Sequence, residues 1–312
     1  MRFIQVLLLA ALFALIGLGA LYVVAPTRFV ELAVQAERWT AGLEHKELDI
    51  PGFHLHYLDS GGTGTPLVLV HGFGADKDNW TRLARHLRKH YRVIALDLPG
   101  YGQSDAPTTE RYTIGDQVER LHAFVQAIGL SRAHFGGNSM GGNIVATYAA
   151  RYPNQVASLW LVAASGVSAA PQSELRKLIA DTGQNPLAPS DAVQYRSMLQ
   201  WVMARPPYLP NAVVDVLAAR AVAAQPLRAK QFADLVEEAN ALEPLIRSLP
   251  IPTHVLWGAQ DRVLHVGAVR VLSAVLPHAT HSILPGIGHL PMVEAPEQSA
   301  NDYLAFRLAS RG

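Results

Sequence analysis

Gly137-Asn138-Ser139-Met140-Gly141 stands between the apolar run Ala133-His134-Phe135 and a segment opening Asn143-Ile144-Val145-Ala146-Thr147-Tyr148. The first run reads as a strand and the second as a helix, so the five residues between them form the corner of a strand-turn-helix unit. Such a corner holds its central residue in a strained conformation, and small neighbours are needed where strand and helix pack closely. Gly137, Gly141 and Gly142 supply them and leave the Ser139 hydroxyl free at the end of a sheet. Alone, the five-residue pattern is weak, because a serine between glycines is usually part of a loop. Its setting, together with partners further along the chain, makes Ser139 a candidate nucleophile.

Upstream of this corner the chain alternates strands and helices. Leu67-Val68-Leu69-Val70 and Val93-Ile94-Ala95-Leu96 are apolar runs of buried-strand length, and helices are expected over Trp80 to His90 and Thr113 to Ile128. With Leu159 to Ala163 as a further strand, the alternation predicts a mostly parallel sheet with helices on both faces. The first of these strands runs into His71-Gly72-Phe73-Gly74. Backbone N–H groups of Phe73 and Met140 would there point at a carbonyl oxygen on which negative charge develops. His71 reads as a residue that fixes this loop, and Asp97, which opens a Pro/Gly turn before the nucleophile, as turn chemistry. Further upstream, Pro51-Gly52 joins two alternating segments into a hairpin that places His54 and His56 on one face. No third ligand is in view there, so the face reads as a solvated edge, and neither a metal nor an organic cofactor is expected.

A serine hydroxyl is a poor nucleophile at neutral pH, so a histidine must take its proton and a carboxylate must orient that histidine. Strand Thr253 to Trp257 ends in Gly258-Ala259-Gln260-Asp261, and His281 to Leu284 leads to Pro285-Gly286-Ile287-Gly288-His289. Asp261 and His289 are thereby expected at the same rim as Ser139. Singly, each has rivals: His265, His278 and His281 for the base, Asp234 and Glu294 for the acid. Their joint position after consecutive strands favours Ser139, Asp261 and His289 together.

These stretches, above all His71 to Trp80 and Gly137 to Gly142, resemble the α/β-hydrolase superfamily, and within it the bacterial family V lipases and esterases. The resemblance runs from about Leu67 to the end of the chain. It implies a serine ester hydrolase with Ser139, Asp261 and His289 as triad and the Phe73 and Met140 amides as oxyanion hole. It also implies that the helical pieces expected over 168–245 (Ser173 to Asp181, Asp191 to Ala204, Ala212 to Ala224, Leu227 to Ala241) form a lid inserted between core segments 42–167 and 246–312. Met198, Trp201 and Met203 would line an acyl-chain tunnel, touch lipid, or pack the lid on the core.

Composition and the amino terminus bound the remaining possibilities. The 312 residues carry a formal net charge of +1, with scattered basic groups and no cysteine, which excludes a nucleic-acid footprint, disulfides and thiolate chemistry. From Phe3 to Ala25 no side chain is charged, so 1–26 reads as an uncleaved transmembrane anchor. Segment 27–41 follows as an amphipathic helix with Phe29, Leu32, Ala33, Ala36 and Trp39 on one stripe, which either lies at the membrane or packs on the catalytic domain. Ala10, Ala14 and Gly17 form a small-residue face suited to a homodimer. The expectation is a single-pass protein of the bacterial inner membrane, its catalytic domain in the periplasm, acting on membrane glycerophospholipids or other acyl esters. The alternatives are a C–C bond hydrolase of aromatic catabolism and a catalytically silent membrane scaffold.

Overall fold

The computed structural model describes residues 4–5, 16–238, 241–247 and 249–310. Eight strands, β1 (Glu44–Ile50), β2 (Phe53–Asp59), β3 (Thr65–Val70), β4 (Tyr91–Leu96), β5 (Ala133–Asn138), β6 (Val156–Val162), β7 (Thr253–Gly258) and β8 (Thr280–Leu284), make one sheet. Their spatial order is β1-β2-β4-β3-β5-β6-β7-β8. The β1-β2 hairpin and the β2-β4 pair are antiparallel, and every pair from β4 to β8 is parallel. Strands covered on both faces read as unbroken apolar runs because successive side chains enter opposite cores. Val68 and Val70 thus join the core under helices α3 (Ile114–Ala127) and α4 (Met140–Arg151), while Leu67 and Leu69 join the one under α2 (Thr81–Leu87) and the last helix.

Local signals fix the helix ends. Thr113 caps α3 by accepting from the Asp116 N–H at 3.1 Å, and Asp116 returns the bond to the Thr113 N–H at 3.2 Å, a reciprocal cap contributing about 1 kcal/mol. The helix expected from Trp80 starts earlier, as a 3₁₀ turn over Lys77–Trp80 that Asp76 caps at 2.9 Å, and ends at Leu87. Between β6 and β7 the chain forms α5 (Glu174–Thr182), α6 (Ala192–Val202), α7 (Asn211–Ala223), α8 (Gln225–Glu237) and α9 (Leu242–Ile246), with no strand among the described residues. After β7, α10 (Ala268–Val275) precedes β8, and α11 (Pro291–Glu294) and α12 (Pro296–Ala309) close the chain.

Half of the expected span at 1–26, including Ala10 and Ala14, lies outside the described residues. Residues 16–24 are helical, and among the described residues no helix is long and apolar enough to cross a membrane. The helix after it is α1 (Pro26–Thr40), and of its apolar stripe Leu32, Ala33, Ala36 and Trp39 are exposed while Phe29 is half-buried. Leu32 and Trp39 are 49% and 80% exposed, whereas the inward face buries Val30 and carries ion pairs from Glu37 to Arg82 (2.7 Å) and from Arg38 to Asp78 (2.5 Å). The side of α1 that faces the domain thus combines buried Val30 with these ion pairs, and the stripe carrying Leu32 and Trp39 faces outward.

The hairpin also corrects the reading that His54 and His56 lack a third ligand. Register pairs Glu47 with His56 and Asp49 with His54, and His45 lies two residues before Glu47 on the same face. Alternation along β2 alone could not show what its partner strand would bring.

Candidate active site

At the corner between β5 and α4, Ser139 adopts φ 54°, left-handed backbone that a side-chain-bearing residue enters only under constraint. The cost, about 1–3 kcal/mol, is met by surrounding bonds that leave the chain no alternative. The Ser139 N–H donates to the Val162 carbonyl at 3.0 Å, and the Ser139 carbonyl accepts from Asn143 at 3.2 Å and Ser165 at 2.9 Å. The flanking glycines are required by close approach. A Cβ on Gly137 would stand 2.2 Å from the Gly141 carbonyl oxygen, and one on Gly141 2.2 Å from that of Val70.

Asp261 lies just beyond the end of β7 and His289 beyond β8, as their positions in the chain predict. They meet: His289 Nδ1 is 2.8 Å from Asp261 Oδ2, and both side chains are buried. The other carboxylate oxygen, Oδ1, accepts the Val263 and Leu264 N–H groups at 2.8 and 2.9 Å, so it cannot rotate freely. An ionised carboxylate only accepts, which assigns the imidazole proton to Nδ1 and leaves Nε2 with a lone pair. Among the described residues no hydrogen bond joins Ser139 Oγ to the His289 ring. The two loops are tied through backbone, since Asn138 Nδ2 donates both to the Val162 carbonyl and to the His289 carbonyl at 3.1 Å. Nucleophile-base contacts often tighten only when substrate binds.

The rival residues have other duties. Glu294 accepts from Gly288 N–H at 3.0 Å and from Arg205 N–H at 2.9 Å, and Asp234 from Tyr112 N–H at 2.9 Å and Lys230 at 2.8 Å. His278 and His281 are exposed, and His265 Nδ1 accepts the Gly267 N–H at 2.9 Å. Asp97 does more than turn the chain. It is fully buried, and it takes Lys77 Nζ at 2.6 Å and the Lys77 and Gln103 N–H groups at 2.8 Å.

Gly72 lies against the elbow, where a Cβ would come within 3.2 Å of Ser139 Cβ. The next amide, Phe73 N–H, and that of Met140 at the first turn of α4 are engaged by no protein acceptor among the described residues. A first-turn N–H has no intrahelical partner and points to whatever lies before the helix. Tyr101 supports both residues: its ring packs edge-on to Phe73 at 6.2 Å, and its hydroxyl donates to Met140 Sδ at 3.5 Å. Burial holds that hydroxyl above its ordinary pKa, so it remains a donor.

His71 is fixed as a neutral ring. Nδ1 donates to the Gly72 carbonyl at 2.8 Å, and Nε2 accepts the Leu98 N–H at 3.1 Å. Burial pushes its pKa from 6.5 down to about 4. Below pH 6.5 the unfolded chain gains a proton that the folded chain refuses, so stability is lost as pH falls from about 6.5 to about 4, by about 3 kcal/mol in all. Asp76, pushed up to about 7 by burial and then by Asp78 and Asp97, acts with the opposite sign. The histidine is isolated by comparison with His71→Gln. Denaturant unfolding should give a wild-type advantage at pH 7 that shrinks steadily towards pH 4, and a constant difference would contradict the assignment.

Three features of the site were not legible as motifs. Asn138 is one. A second is the bond from His289 N–H to the Val202 carbonyl at 2.9 Å, which makes the end of α6 part of the support for the imidazole. The third is α8: Arg228 and the buried Gln231 donate to the Gly100 carbonyl at 2.7 and 3.0 Å, and Phe232 packs edge-on against Phe73 at 5.9 Å. Arg228 also stacks over the Tyr101 ring at 4.3 Å. A helix pattern reveals such residues as polar positions but does not say which loop they reach.

An eight-stranded sheet carrying a left-handed serine corner, with a paired carboxylate and imidazole on the loops that follow two later strands, defines a class. The chain belongs to the alpha/beta hydrolase fold family, which matches residues 65–296. It is a lipase- and phospholipase-like ester hydrolase. It is 38% identical to Lipase 3 of Moraxella sp. (strain TA144) over 308 residues, 96% of each chain. It is 39% identical to Lipase 1 of Psychrobacter immobilis over 279 residues, covering 88% of this chain and 87% of the relative. Among solved structures it is similar to a membrane phospholipase A described as a bacterial virulence factor, PlaF, at 40% identity and a TM-score of 0.90 over 100% of both chains.

Proposed function

We propose that the protein is a membrane-anchored phospholipase A, or lipolytic carboxylesterase, that releases fatty acids from membrane glycerophospholipids through an acyl-enzyme. Ser139 Oγ attacks the ester carbonyl carbon while His289 Nε2 takes its proton. Asp261 holds the imidazole in the Nδ1–H tautomer and stabilises the imidazolium. The oxyanion is met by the Phe73 and Met140 amides. His289 then returns the proton to the leaving alcohol, and water repeats the sequence to free the acid. The 2.8 Å pair of His289 with Asp261, beside an elbow serine at φ 54°, is the observation that carries this reading.

In this reading 1–26 is the membrane anchor and 27–41 lies at the bilayer surface, with the outward Leu32 and Trp39 entering the interfacial region. Segments 42–167 and 246–312 form the core and 168–245 the lid. The charge-free stretch from Phe3 to Ala25 and the likeness to a membrane phospholipase A support a single-pass inner-membrane protein with a periplasmic catalytic domain. Two copies associate through Ala10, Ala14 and Gly17. The lipase relatives favour this over a C–C bond hydrolase or a silent scaffold. Full-length protein in mild detergent should release fatty acid from glycerophospholipids and cleave short p-nitrophenyl esters. Ester cleavage without any fatty-acid release would remove the phospholipid assignment, and monomers in the same preparation by light scattering would remove the dimer.

A further inference from the structure

The outer hairpin carries a second constellation that ester hydrolysis does not use. Side chains alternate along a strand and paired residues share a face, so His45, Glu47 and Asp49 of β1 stand beside His54 and His56 of β2. His56 Nδ1 lies 3.0 Å from His45 Nε2 and 3.4 Å from Glu47 Oε1. Single ligand atoms of His45, Glu47 and His56 all lie within 4.8 Å of one another. We propose that this face binds one divalent transition-metal ion of the zinc class through His45 Nε2, His56 Nδ1 and a Glu47 carboxylate oxygen.

The distances suit such an ion. Tetrahedral zinc with bonds of about 2.0–2.1 Å has ligand-to-ligand edges of about 3.3 Å. The separations of 3.0 and 3.4 Å bracket that edge, and the third pair of ligand atoms, on His45 and Glu47, lies within 4.8 Å, so rotation of the side chains on fixed strands would aim all three at one ion. Two imidazoles and one carboxylate make a borderline donor set, which suits Zn²⁺, Ni²⁺ or Cu²⁺ and not the all-oxygen demand of Ca²⁺ or Mg²⁺. The carboxylate is also oriented from behind: Glu47 Oε2 is 3.4 Å from His54 Nε2, and the other nitrogen of that ring is 2.7 Å from Asp49 Oδ1. Such outer partners set the direction of a ligand and raise affinity. Lys77 and Arg38 are the cations whose fields reach His45, and each is already paired, with Asp97 at 2.6 Å and Asp78 at 2.5 Å. Donors from both strands of an edge hairpin make the ion a clamp on the outermost strand, so its effect falls on stability and leaves ester turnover alone.

The test is calorimetric titration of ZnCl₂ into tag-free full-length protein, with thermal melts and anomalous diffraction at the zinc edge. Wild type should bind one equivalent tightly, gain thermal stability with zinc but not with CaCl₂ or MgCl₂, and show an anomalous peak on the hairpin. His45→Gln and Glu47→Gln, each on an exposed edge, should weaken that equivalent by more than about tenfold while zinc-free melting and ester turnover stay at wild-type levels. An isotherm unchanged in both variants, no zinc binding in wild type, or an anomalous peak confined to other histidines overturns the proposal.

Discussion

Ser139→Ala should reduce ester turnover by about a millionfold and abolish labelling by a fluorophosphonate, with no loss of folded protein. The Ser139 hydroxyl has no hydrogen-bond partner among the described residues, so removing it strands no buried donor or acceptor. Alanine meets the same φ of 54° with the same Cβ, and the bonds to Val162, Asn143 and Ser165 run through backbone that the change leaves in place. Circular dichroism and melting temperature should match wild type, while p-nitrophenyl ester hydrolysis falls to the uncatalysed background. Near wild-type activity in this variant would end the acyl-enzyme mechanism.

Asp261→Asn should cost about 10,000-fold in kcat while KM changes little. The two backbone N–H groups from Val263 and Leu264 demand an acceptor at the Oδ1 position, so the new side chain keeps its carbonyl there and turns its NH₂ towards His289. The imidazole must then accept at Nδ1. Its proton moves to Nε2, where it faces the serine as a donor when a base is needed. Because the loss arises from a wrong tautomer, hydroxide can stand in for the missing base, and the variant's rate should climb with pH where the wild-type rate is flat. A variant within about tenfold of wild type would show that Asp261 does not set the tautomer.

Both substitutions concern residues whose sequence positions were informative for a simple reason. In a parallel sheet every strand ends at the same rim, so motifs that follow strands β5, β7 and β8 converge whatever the length of chain between them. The serine corner was legible from its glycines, and α3 falls within the helix expected over Thr113 to Ile128. What stayed hidden depends on partners from other elements. An amphipathic pattern shows that α1 has an apolar stripe, but which side faces the domain depends on the partners of Val30, Glu37 and Arg38 in other elements. The histidines of β2 gained His45 and Glu47 only through strand register. Asn138, Val202 and Gln231 act through contacts with distant loops that no spacing encodes.

The bond from His289 to the Val202 carbonyl, with the Glu294 carboxylate bridging Arg205 and Gly288, bears on enzyme engineering. Replacing the helices between β6 and β7 with those of another hydrolase is an obvious route to new acyl-chain preferences. A chimaera spliced without residues 202–205 would take away the backbone acceptor beneath the imidazole and misplace it, so a new specificity loop would arrive with a crippled base. Grafts that keep this short stitch and exchange only the helices on either side of it are the ones positioned to change selectivity while preserving rate.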